Sequence, residues 1–369
     1  MKFKCVKNSL QELVQHANNF TTSKNINTIL QNLYLETEDN TLTIKSTNLQ
    51  NAFTGKTKIE VLETGTTTVP AKKLLEILKE LPDGSIIDAE FTGSKLVLKS
   101  GKSLFTLSTI SPEYFPTVSE IVPEYFIRLK SDIFKSLLEK INFCISNDHS
   151  KIEYTGGHLK VFGNKIEISA ADFQKIAIAE SNFDEEFSDE FTINIPKKTI
   201  SELIKLLDYS EYVEIETDKK QALFKIKNIT IYTKLIDKYI QSLGKLFDIQ
   251  PKITATIHRE SFLNSVKRVS TLTSDITHAA VFSFNNGKLD IYSLETEYGQ
   301  GYESIEGINH EGEPIEIILN TKHVIEVINH IDTEYFTMKM IGRKNPVLFF
   351  PHENWYKYLL TPISIERRI

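Results

Sequence analysis

A Gly-Lys-Ser run at residues 101–103 could do chemistry, because such a run can end a loop that binds nucleotide phosphates. That loop also needs a glycine five positions before its second glycine and a helix after the run. Here Leu96 occupies the glycine position, and Leu104-Phe105-Thr106-Leu107 has the composition of a strand. The sequence therefore predicts a hairpin turn at 101–103.

The histidines, cysteines and carboxylates form no recognisable metal or catalytic pattern. His323 and His330 lie seven positions apart on one predicted helix, without the four-residue spacing of a zinc-binding histidine pair. Cys5 and Cys144 both have apolar neighbours, which is typical of buried free thiols. The acidic run at 184–190 is typical of a solvated loop. We expect no enzyme activity, no metal and no cofactor.

Composition indicates a folded protein with more than one domain. The chain has 369 residues, of which 40% are hydrophobic and 25% charged, which is near the average for globular proteins. It contains no apolar run of the ~18 residues that a membrane span needs, and residues 1–7 lack a signal-peptide core. A cytoplasmic location with no membrane association is expected.

A repeat organises the elements that must position any functional residue. A strand followed by an amphipathic helix occurs three times, and its equivalent residues Pro70, Pro196 and Asn320 are separated by 126 and 124 positions. A second marker, a turn dipeptide followed by a strand at 41–44, 165–168 and 288–291, has separations of 124 and 123. Two independent markers with one period predict three similar units.

The order of elements within each unit predicts the fold class. Strands come as hairpins with short turns, which favours an antiparallel sheet backed by two helices over a parallel, doubly wound sheet. We therefore expect an α+β fold of three units, at 1–124, 125–249 and 250–369. Linkers are predicted near 112–123 and 246–251.

Charge distribution bears on nucleic-acid binding. A net charge of -6 argues against a protein that coats nucleic acid non-specifically, since such binding needs excess lysine and arginine. The six predicted helices contain eleven basic and nine acidic side chains, so they carry a net +2 and the rest a net -8. The helices could face phosphates across a gap, although an ordinary solvated face explains any single lysine.

With three units of ~123 residues, the chain resembles the bacterial DNA sliding clamp family, the beta subunit of DNA polymerase III. The resemblance runs through the whole chain in order and is strongest in the first unit. Stretches that carry it are Met1-Lys2-Phe3, Thr47-Asn48-Leu49, Thr67-Thr68-Val69-Pro70-Ala71-Lys72-Lys73, Ser100-Gly101-Lys102-Ser103, Phe105-Thr106-Leu107-Ser108-Thr109, Tyr114-Phe115-Pro116, Lys234-Leu235-Ile236-Asp237 and Leu360-Thr361-Pro362-Ile363.

Two segments depart from the family pattern. Residues 170–176 read Ala-Ala-Asp-Phe-Gln-Lys-Ile where the family commonly has Ala-Thr-Asp-Gly-His-Arg-Leu. Residues 240–243 read Ile-Gln-Ser-Leu where the family has Phe-Pro-Asp-Tyr, and a basic extension at 366–369 continues past the usual end. Both segments border the family's pocket for partner proteins, so a different motif preference is expected.

The resemblance implies a ring-shaped homodimer that encircles duplex DNA and tethers the replicative polymerase for processive synthesis. Implied partners are the polymerase alpha subunit, the clamp-loader complex and repair proteins, which dock through short linear motifs. Family positions place Lys24, Lys73 and Lys197 towards DNA. They place the dimer interface at Lys102, Phe105 and Leu107 of one chain and at Thr271 and Leu272 of the other.

The same resemblance implies a pocket for partner peptides between the second and third units. Its expected members are Tyr154, Ala171, Phe173, Lys175, Ile176, Lys245, Leu246, Thr277, Asn320, His323, Pro346, Leu360, Pro362 and Ile363. The apolar residues 359–363 are expected to lie beyond the last strand and to line this groove.

Two other functions stay open at this point. One is an enzyme with its site at the unit junctions, for which the sequence shows no candidate cluster. The other is a clamp-like scaffold that binds proteins without encircling DNA, which the altered pocket segments and the acidic total would fit.

Overall fold

The computed structural model describes residues 1–22, 28–117, 121–240, 243–352 and 355–364, apart from the side chains of 184, 185, 188 and 189. Lys24 and the extension at 366–369 lie outside the described residues, as does part of the departing segment 240–243.

Helices and strands follow one another in the same general order in each third of the chain. The first third contains β1 (Lys2–Val6), α1 (Lys7–Asn18), β2 (Asn32–Glu38), β3 (Thr41–Thr47), β4 (Asn51–Lys58), β5 (Glu60–Glu63), β6 (Gly65–Pro70), α2 (Ala71–Glu80), β7 (Ile86–Phe91), β8 (Lys95–Ser100) and β9 (Ser103–Ser108). The second contains β10 (Tyr125–Lys130), α3 (Ser131–Asn142), β11 (Gly156–Ala171), β12 (Lys175–Pro196), α4 (Lys197–Leu206), β13 (Tyr212–Thr217), β14 (Gln221–Ile226) and β15 (Ile229–Lys234). The last contains β16 (Ile253–His258), α5 (Arg259–Ser270), β17 (Ala279–Asn285), β18 (Lys288–Ser293), β19 (Tyr302–Glu306), β20 (Asn309–Glu311), β21 (Ile315–Asn320), α6 (Thr321–Asn329), β22 (Tyr335–Met340), β23 (Val347–Pro351) and β24 (Tyr356–Leu360).

The chain divides into two compact units, and the division falls inside α3 and α4. Unit 1 comprises 1–134 and 201–235, and unit 2 comprises 135–200 and the chain from 236 onward. Unit 1 holds a five-stranded sheet (β5-β1-β7-β8-β9) and an eight-stranded sheet (β10-β13-β14-β15-β4-β3-β2-β6). Unit 2 holds a seven-stranded sheet (β11-β12-β24-β23-β22-β16-β20) and a four-stranded sheet (β19-β18-β17-β21).

The predicted α+β class with antiparallel hairpins is confirmed, and the sheets add a feature that the sequence did not indicate. In unit 1, β4 of the first third pairs with β15 of the second, with Gly55 opposite Ile229. In unit 2, β12 of the second third pairs with β24 of the last, with Lys175 opposite Leu360. Hydrogen-bonded sheets therefore cross the boundaries between the repeats.

Turn chemistry explains where several hairpins lie. Residues 101 and 102 join β8 to β9, and Gly101 has φ of +58°, which confirms the hairpin turn predicted there. Asn286 and Gly287 both have positive φ between β17 and β18, as a two-residue hairpin turn requires. The expected turn at residues 163–164 is instead an irregularity inside β11, where the register shifts around Gly163.

Both cysteines are free and buried, as the sequence predicted. Burial raises the pKa of the Cys5 thiol to about 12, and burial also raises the pKa of the Cys144 thiol well above its usual value. Thiols with such pKa values carry almost no thiolate at neutral pH, so they contribute to packing and not to reactivity.

Candidate functional site

The turn between β11 and β12 fixes the position of Phe173 in unit 2. Oδ1 of Asp172 accepts hydrogen bonds from the backbone N–H groups of Gln174 (2.7 Å) and Lys175 (2.6 Å). The Asp172 N–H donates to the Lys175 carbonyl at 2.9 Å. An aspartate that holds its own turn in this way leaves the turn's tip little freedom. Phe173 lies at that tip with half of its surface exposed.

Phe173 forms one layer of an aromatic pair. Its ring stacks on Tyr154 with the centroids 5.3 Å apart and an interplanar angle of 26°. The ammonium of Lys151 lies 5.1 Å from the Phe173 centroid and 5.9 Å from that of Tyr154. Both distances are within the range of cation–π attraction. The pair is therefore an aromatic surface with a cation over it.

An apolar cluster supports this surface from below. Ala171 and Ile176 belong to it, and Tyr154 packs against it. Its other buried members are Ile178, Leu243, Phe247, Leu348 and Leu359. These residues come from β11, β12, β23, β24 and the single-turn helix Leu243–Phe247, so the cluster joins four strands and a helix of unit 2.

Lys175 is buried beside this cluster and uses its ammonium inside the protein. Nζ donates to Oε2 of Glu326 at 2.6 Å and to the Phe143 carbonyl at 3.2 Å, and it lies 3.7 Å from Asp172. Burial alone would lower the pKa of Lys175, but the hydrogen bond from Lys175 to Glu326 and the charges of Glu326 and Asp172 outweigh burial and raise that pKa. Lys175 is therefore charged at neutral pH and already paired.

The chain after β24 forms a rim beside the turn between β11 and β12. The prediction that this tail begins at residue 359 is wrong. Residues 359 and 360 do not lie beyond the last strand, because β24 continues to Leu360 and both leucines are 2% exposed. The rim starts at Thr361, whose N–H donates to the Gln174 carbonyl at 3.0 Å. Pro362 and Ile363 are half-buried, and the Ile363 N–H donates to the Ile318 carbonyl at 2.8 Å.

The start of α6 contributes a second polar edge. Oδ1 of Asn320 accepts from the N–H groups of Lys322 (2.9 Å) and His323 (3.3 Å), so Asn320 caps the helix. Its Nδ2 donates to the carbonyl of Thr277, which is exposed. Burial first, and then the charge of Lys175, lower the pKa of His323, so its ring is neutral at pH 7.

The remaining residues expected at the groove lie on the single-turn helix and in the chain before β23. Lys245 and Leu246 are exposed on the single-turn helix Leu243–Phe247, whose buried residues Leu243 and Phe247 belong to the apolar cluster. Pro346 is half-buried directly before Val347, which lies opposite Leu360 in the sheet. Of the expected set, Ala171 and Ile176 belong to the apolar cluster of unit 2 and Tyr154 packs against it. Asn320 and Thr277 contact each other at the start of α6.

Three further residues at the groove escaped the sequence prediction: Lys151, Phe143 and Glu326. Glu326 follows His323 by three positions on α6, a spacing that places side chains on one helix face and could have indicated it. Lys151 and Phe143 lie in irregular chain and carry no periodic signal.

The expected interface residues occupy an edge strand of unit 1 and a helix end of unit 2. Strand β9 is at the edge of the five-stranded sheet, so one side of its backbone has no strand partner among the described residues. Lys102 is exposed, Phe105 is half-buried and Leu107 is buried, whereas Leu104 is 61% exposed. Thr271 is exposed and Leu272 half-exposed, directly after α5.

The two described lysines expected to face DNA differ in their surroundings. Lys73 is exposed on α2 and pairs with Glu76 at 2.7 Å. Lys197 donates to the Ile145 carbonyl at 2.7 Å and to Oδ1 of Asn147 at 2.9 Å. Burial first, and then the charge of Lys175, lower the pKa of Lys197. Lys73, with its surface ion pair, is more accessible to a phosphate than the half-buried Lys197.

Neither a metal site nor a membrane-spanning helix is found in the part of the chain that the structure describes. No group of three or more histidine, cysteine, aspartate or glutamate side chains could hold an ion there. None of the described helices is long and apolar enough to cross a bilayer.

Related proteins can be aligned with this chain over most of its length. The beta sliding clamp of Chlamydia muridarum is 24% identical over 348 residues, which is 94% of both chains. That of Haemophilus influenzae is 26% identical over 303 residues, 82% of each chain.

Solved structures share the fold. The Pseudomonas aeruginosa DnaN sliding clamp bound to griselimycin has a TM-score of 0.95 at 23% identity, covering 99% of this chain and 100% of that one. The Caulobacter crescentus beta sliding clamp, with polyethylene glycol at its putative beta-motif tethering region, has a TM-score of 0.94 at 23% identity, with 99% of both chains covered.

Family models match the chain in three consecutive segments. The N-terminal domain of the DNA polymerase III beta subunit matches residues 1–119, its central domain 128–240 and its C-terminal domain 245–364. Together the three segments account for nearly the whole chain in the order of the family. The protein therefore belongs to the DNA polymerase III beta subunit family.

Proposed function

We propose that this protein is a DNA sliding clamp, a ring-shaped homodimer that encircles duplex DNA and tethers the replicative polymerase. The observation that carries the proposal is the match of all three beta-subunit domains, in order, across residues 1–364. The family is a non-catalytic processivity factor, so its members hold other proteins on DNA and catalyse no reaction themselves.

Three domains per chain make a ring of six when two chains join head to tail, which closes the assembly. We place the domains at 1–124, 125–249 and 250–369, and the matched segments support this division. The exposed edge of β9, with Leu104, supports pairing of the first domain with another chain. The partner surface is assigned to Thr271 and Leu272 on the third domain.

A net charge of -6 favours retention by topology over retention by charge. Lys24, Lys73 and Lys197 are assigned to the DNA face, where loose contacts with phosphates would permit sliding. Lys197 is half-buried and bonded to a backbone carbonyl, whereas Lys73 is exposed and has only a surface ion pair with Glu76, so Lys73 is expected to contribute more of this contact.

The groove around Phe173 is proposed to dock partner proteins through short linear peptides. Its support is the apolar cluster with a half-exposed aromatic pair above it, rimmed by Pro362 and Ile363. The expected partners are the polymerase alpha subunit, the clamp loader and repair proteins, in the cytoplasm.

A loading experiment tests the proposal. The protein is loaded on a nicked circular plasmid by the clamp loader of the same organism, washed at 0.5 to 1 M NaCl, and then the circle is linearised. A ring survives the wash on the closed circle and leaves promptly after linearisation. Protein that never becomes salt-resistant would support instead a scaffold that binds peptides without encircling DNA.

A further inference from the structure

A polar cavity of about 620 Å³ lies in unit 2, lined by residues of β11 and β12 and of the single-turn helix Leu243–Phe247. Ser169 lines it, whereas Ala171, two positions further along β11 and therefore on the same face of the sheet, belongs to the apolar cluster. Leu243 is a member of the cluster and also lines the cavity. The cavity is thus a neighbour of the groove with a polar wall of its own, and its size is that of a small-molecule site.

His158 brings a hydrogen-bond acceptor to this cavity. Its side chain is 4% exposed, and its Nε2 donates to the Glu153 carbonyl at 3.0 Å. Burial lowers the pKa of His158 to about 4, so the ring is neutral at pH 7 and Nδ1 presents a lone pair. Nδ1 is buried and has no partner among the described residues. A buried acceptor of this kind is suited to an N–H or O–H donor of a ligand.

Glu167 is the second group at the cavity whose bonding capacity is unused. It is half-buried on β11 directly opposite Glu180 of β12, and like charges in such a cross-strand pair repel each other. Glu180 pairs with Lys165 at 2.9 Å, whereas Glu167 forms no hydrogen bond or ion pair with a described residue. Burial first, and then the charge of Glu180, raise the pKa of Glu167. A cation beside this carboxylate would offset both effects.

The other charges that line the cavity leave Glu167 uncompensated. Lys160 pairs with Glu190 at 2.7 Å. Lys245 and Asp248 are both exposed and have opposite charges. Two lysines and three carboxylates line the cavity, so its net charge is -1. This balance favours a cationic ligand over an anionic one.

The remaining wall of the cavity is apolar, with Ile240 and Leu243 among its residues. We infer that this cavity binds a small organic cation that carries several N–H donors on a short alkyl chain, such as an alkylguanidinium. The cationic group pairs with Glu167 and donates one N–H to Nδ1 of His158, and the alkyl chain packs on the apolar wall. This role is separate from DNA encirclement and from peptide docking.

Butylguanidinium and its uncharged isostere butylurea test the charge half of the inference. Ligand-observed NMR titrations of the whole protein should show butylguanidinium binding roughly two- to fivefold more tightly, the range for one partly exposed ion pair. Glu167→Gln should abolish that preference and leave butylurea unaffected. Glu311→Gln is the control, because Glu311 is an exposed carboxylate on β20, at the opposite edge of the same sheet from β11.

Three results would overturn the inference. They are equal affinity of wild type for the two compounds, an equal effect of Glu167→Gln and Glu311→Gln, and no binding of either compound up to about 50 mM, where ligands of this size become detectable. None of them bears on the clamp function, which the loading experiment tests. The thermal midpoint of each variant shows that the fold is intact.

The histidine half has a readout of its own. The ¹⁵N signal of Nδ1 of His158, identified by its loss in His158→Gln, should move upfield when butylguanidinium is added, because an unprotonated ring nitrogen is shielded when it accepts a hydrogen bond. The signals of histidines away from the cavity should stay in place. A His158 signal that does not move while the ligand binds would contradict the contact with Nδ1.

A last comparison separates a free small cation from an arginine side chain of another protein. N-acetylarginine methylamide carries the same guanidinium on a peptide backbone. It should bind no more tightly than butylguanidinium, because the cavity holds the cationic group and a short alkyl chain. Tighter binding of the arginine compound would assign the cavity to a protein side chain and overturn its assignment to a small ligand.

Discussion

The ammonium of Lys175 and the carboxylate of Glu326 lie 2.6 Å apart although 151 positions separate them in the chain. The two side chains are unequally buried, at 8% and 45% exposure. If Lys175 is removed, water can hydrate the Glu326 carboxylate. If Glu326 is removed, the buried ammonium of Lys175 cannot be hydrated in the same way.

This asymmetry gives the first prediction. Glu326→Gln leaves the buried charge of Lys175 with weaker compensation and should lower the free energy of unfolding by about 3 kcal/mol. Lys175→Met leaves a carboxylate that water can reach and one unsatisfied carbonyl, so it should cost only about 1 kcal/mol. Urea unfolding at pH 7.5 measures both. A larger loss for Lys175→Met than for Glu326→Gln would contradict this reading.

An exposed ion pair is the control for that experiment. Lys73→Met removes the partner of Glu76, an exposed side chain, and should leave the free energy of unfolding nearly unchanged because exposed ion pairs contribute little to stability.

The second prediction concerns the pH dependence of stability at His158, which is 4% exposed. Its Nε2 donates to the Glu153 carbonyl at 3.0 Å, and its buried Nδ1 has no partner among the described residues. Burial lowers the pKa of His158 from 6.5 to about 4. Between these pH values His158 binds a proton in the unfolded chain but not in the folded protein. The contribution of His158 to stability is therefore complete above pH 6.5 and is lost as the pH falls towards 4. Between pH 7.5 and pH 5 the loss from this group should be about 2 kcal/mol.

His158→Gln can keep the hydrogen bond to Glu153 and removes the titrating ring. Urea unfolding at pH 7.5 and pH 5 should show a smaller loss for the variant than for wild type. Parallel pH profiles for the two proteins would remove His158 as a source of the acid sensitivity.

The third prediction is a homodimer through the edge of β9. Light scattering should give twice 42.2 kDa at micromolar concentration. Phe105→Asp places an unpaired charge at this edge and should produce the monomer. Leu62→Asp is the matched control, because Leu62 is also exposed but lies on β5 at the opposite edge of the same sheet. Dissociation by both substitutions would argue for a general loss of folding.

The fourth prediction concerns the rim after β24. A chain that ends at Thr361 keeps all of β24 and loses Pro362 and Ile363, so a docking peptide from the proposed polymerase partner should bind it about fivefold more weakly, as expected for the loss of roughly one half-buried apolar contact. A chain that ends at Ser364 is the control and should bind like wild type. Calorimetry on the three proteins decides, since equal affinity throughout would exclude the rim from the site.

Sequence reasoning succeeded where local chemistry determines structure. The turns at Gly101 and at Asn286-Gly287 follow from backbone angles that few residues adopt, and the helices follow from apolar spacing. It was wrong at Gly163, because a glycine with positive φ serves a bulge as well as a turn, and only the partner strand distinguishes the two.

Contacts between residues far apart in the chain could not be predicted from the sequence. Neither the pairing of β4 with β15 nor the ion pair of Lys175 with Glu326 leaves a periodic trace, because each depends on which distant segment lies opposite. The expected tail at 359–363 was misplaced for a related reason: Leu359 and Leu360 satisfy the strand pattern of β24 and are apolar like a groove lining. Phe173 was expected at the groove because of the family resemblance, whereas its stacking on Tyr154 required the structure.

The sheet that joins β4 to β15 also constrains how the protein is made. A ribosome that has released Gly55 must add 174 more residues before Ile229 emerges to pair with it. At about 5–20 residues per second this takes roughly 9 to 35 s, during which one edge of β4 has no partner. In the same way, one edge of β12 has no partner until β24 has been synthesised. Nascent chains that stall between residues 60 and 229 thus expose an open strand edge, and they are the species that chaperones must protect from aggregation.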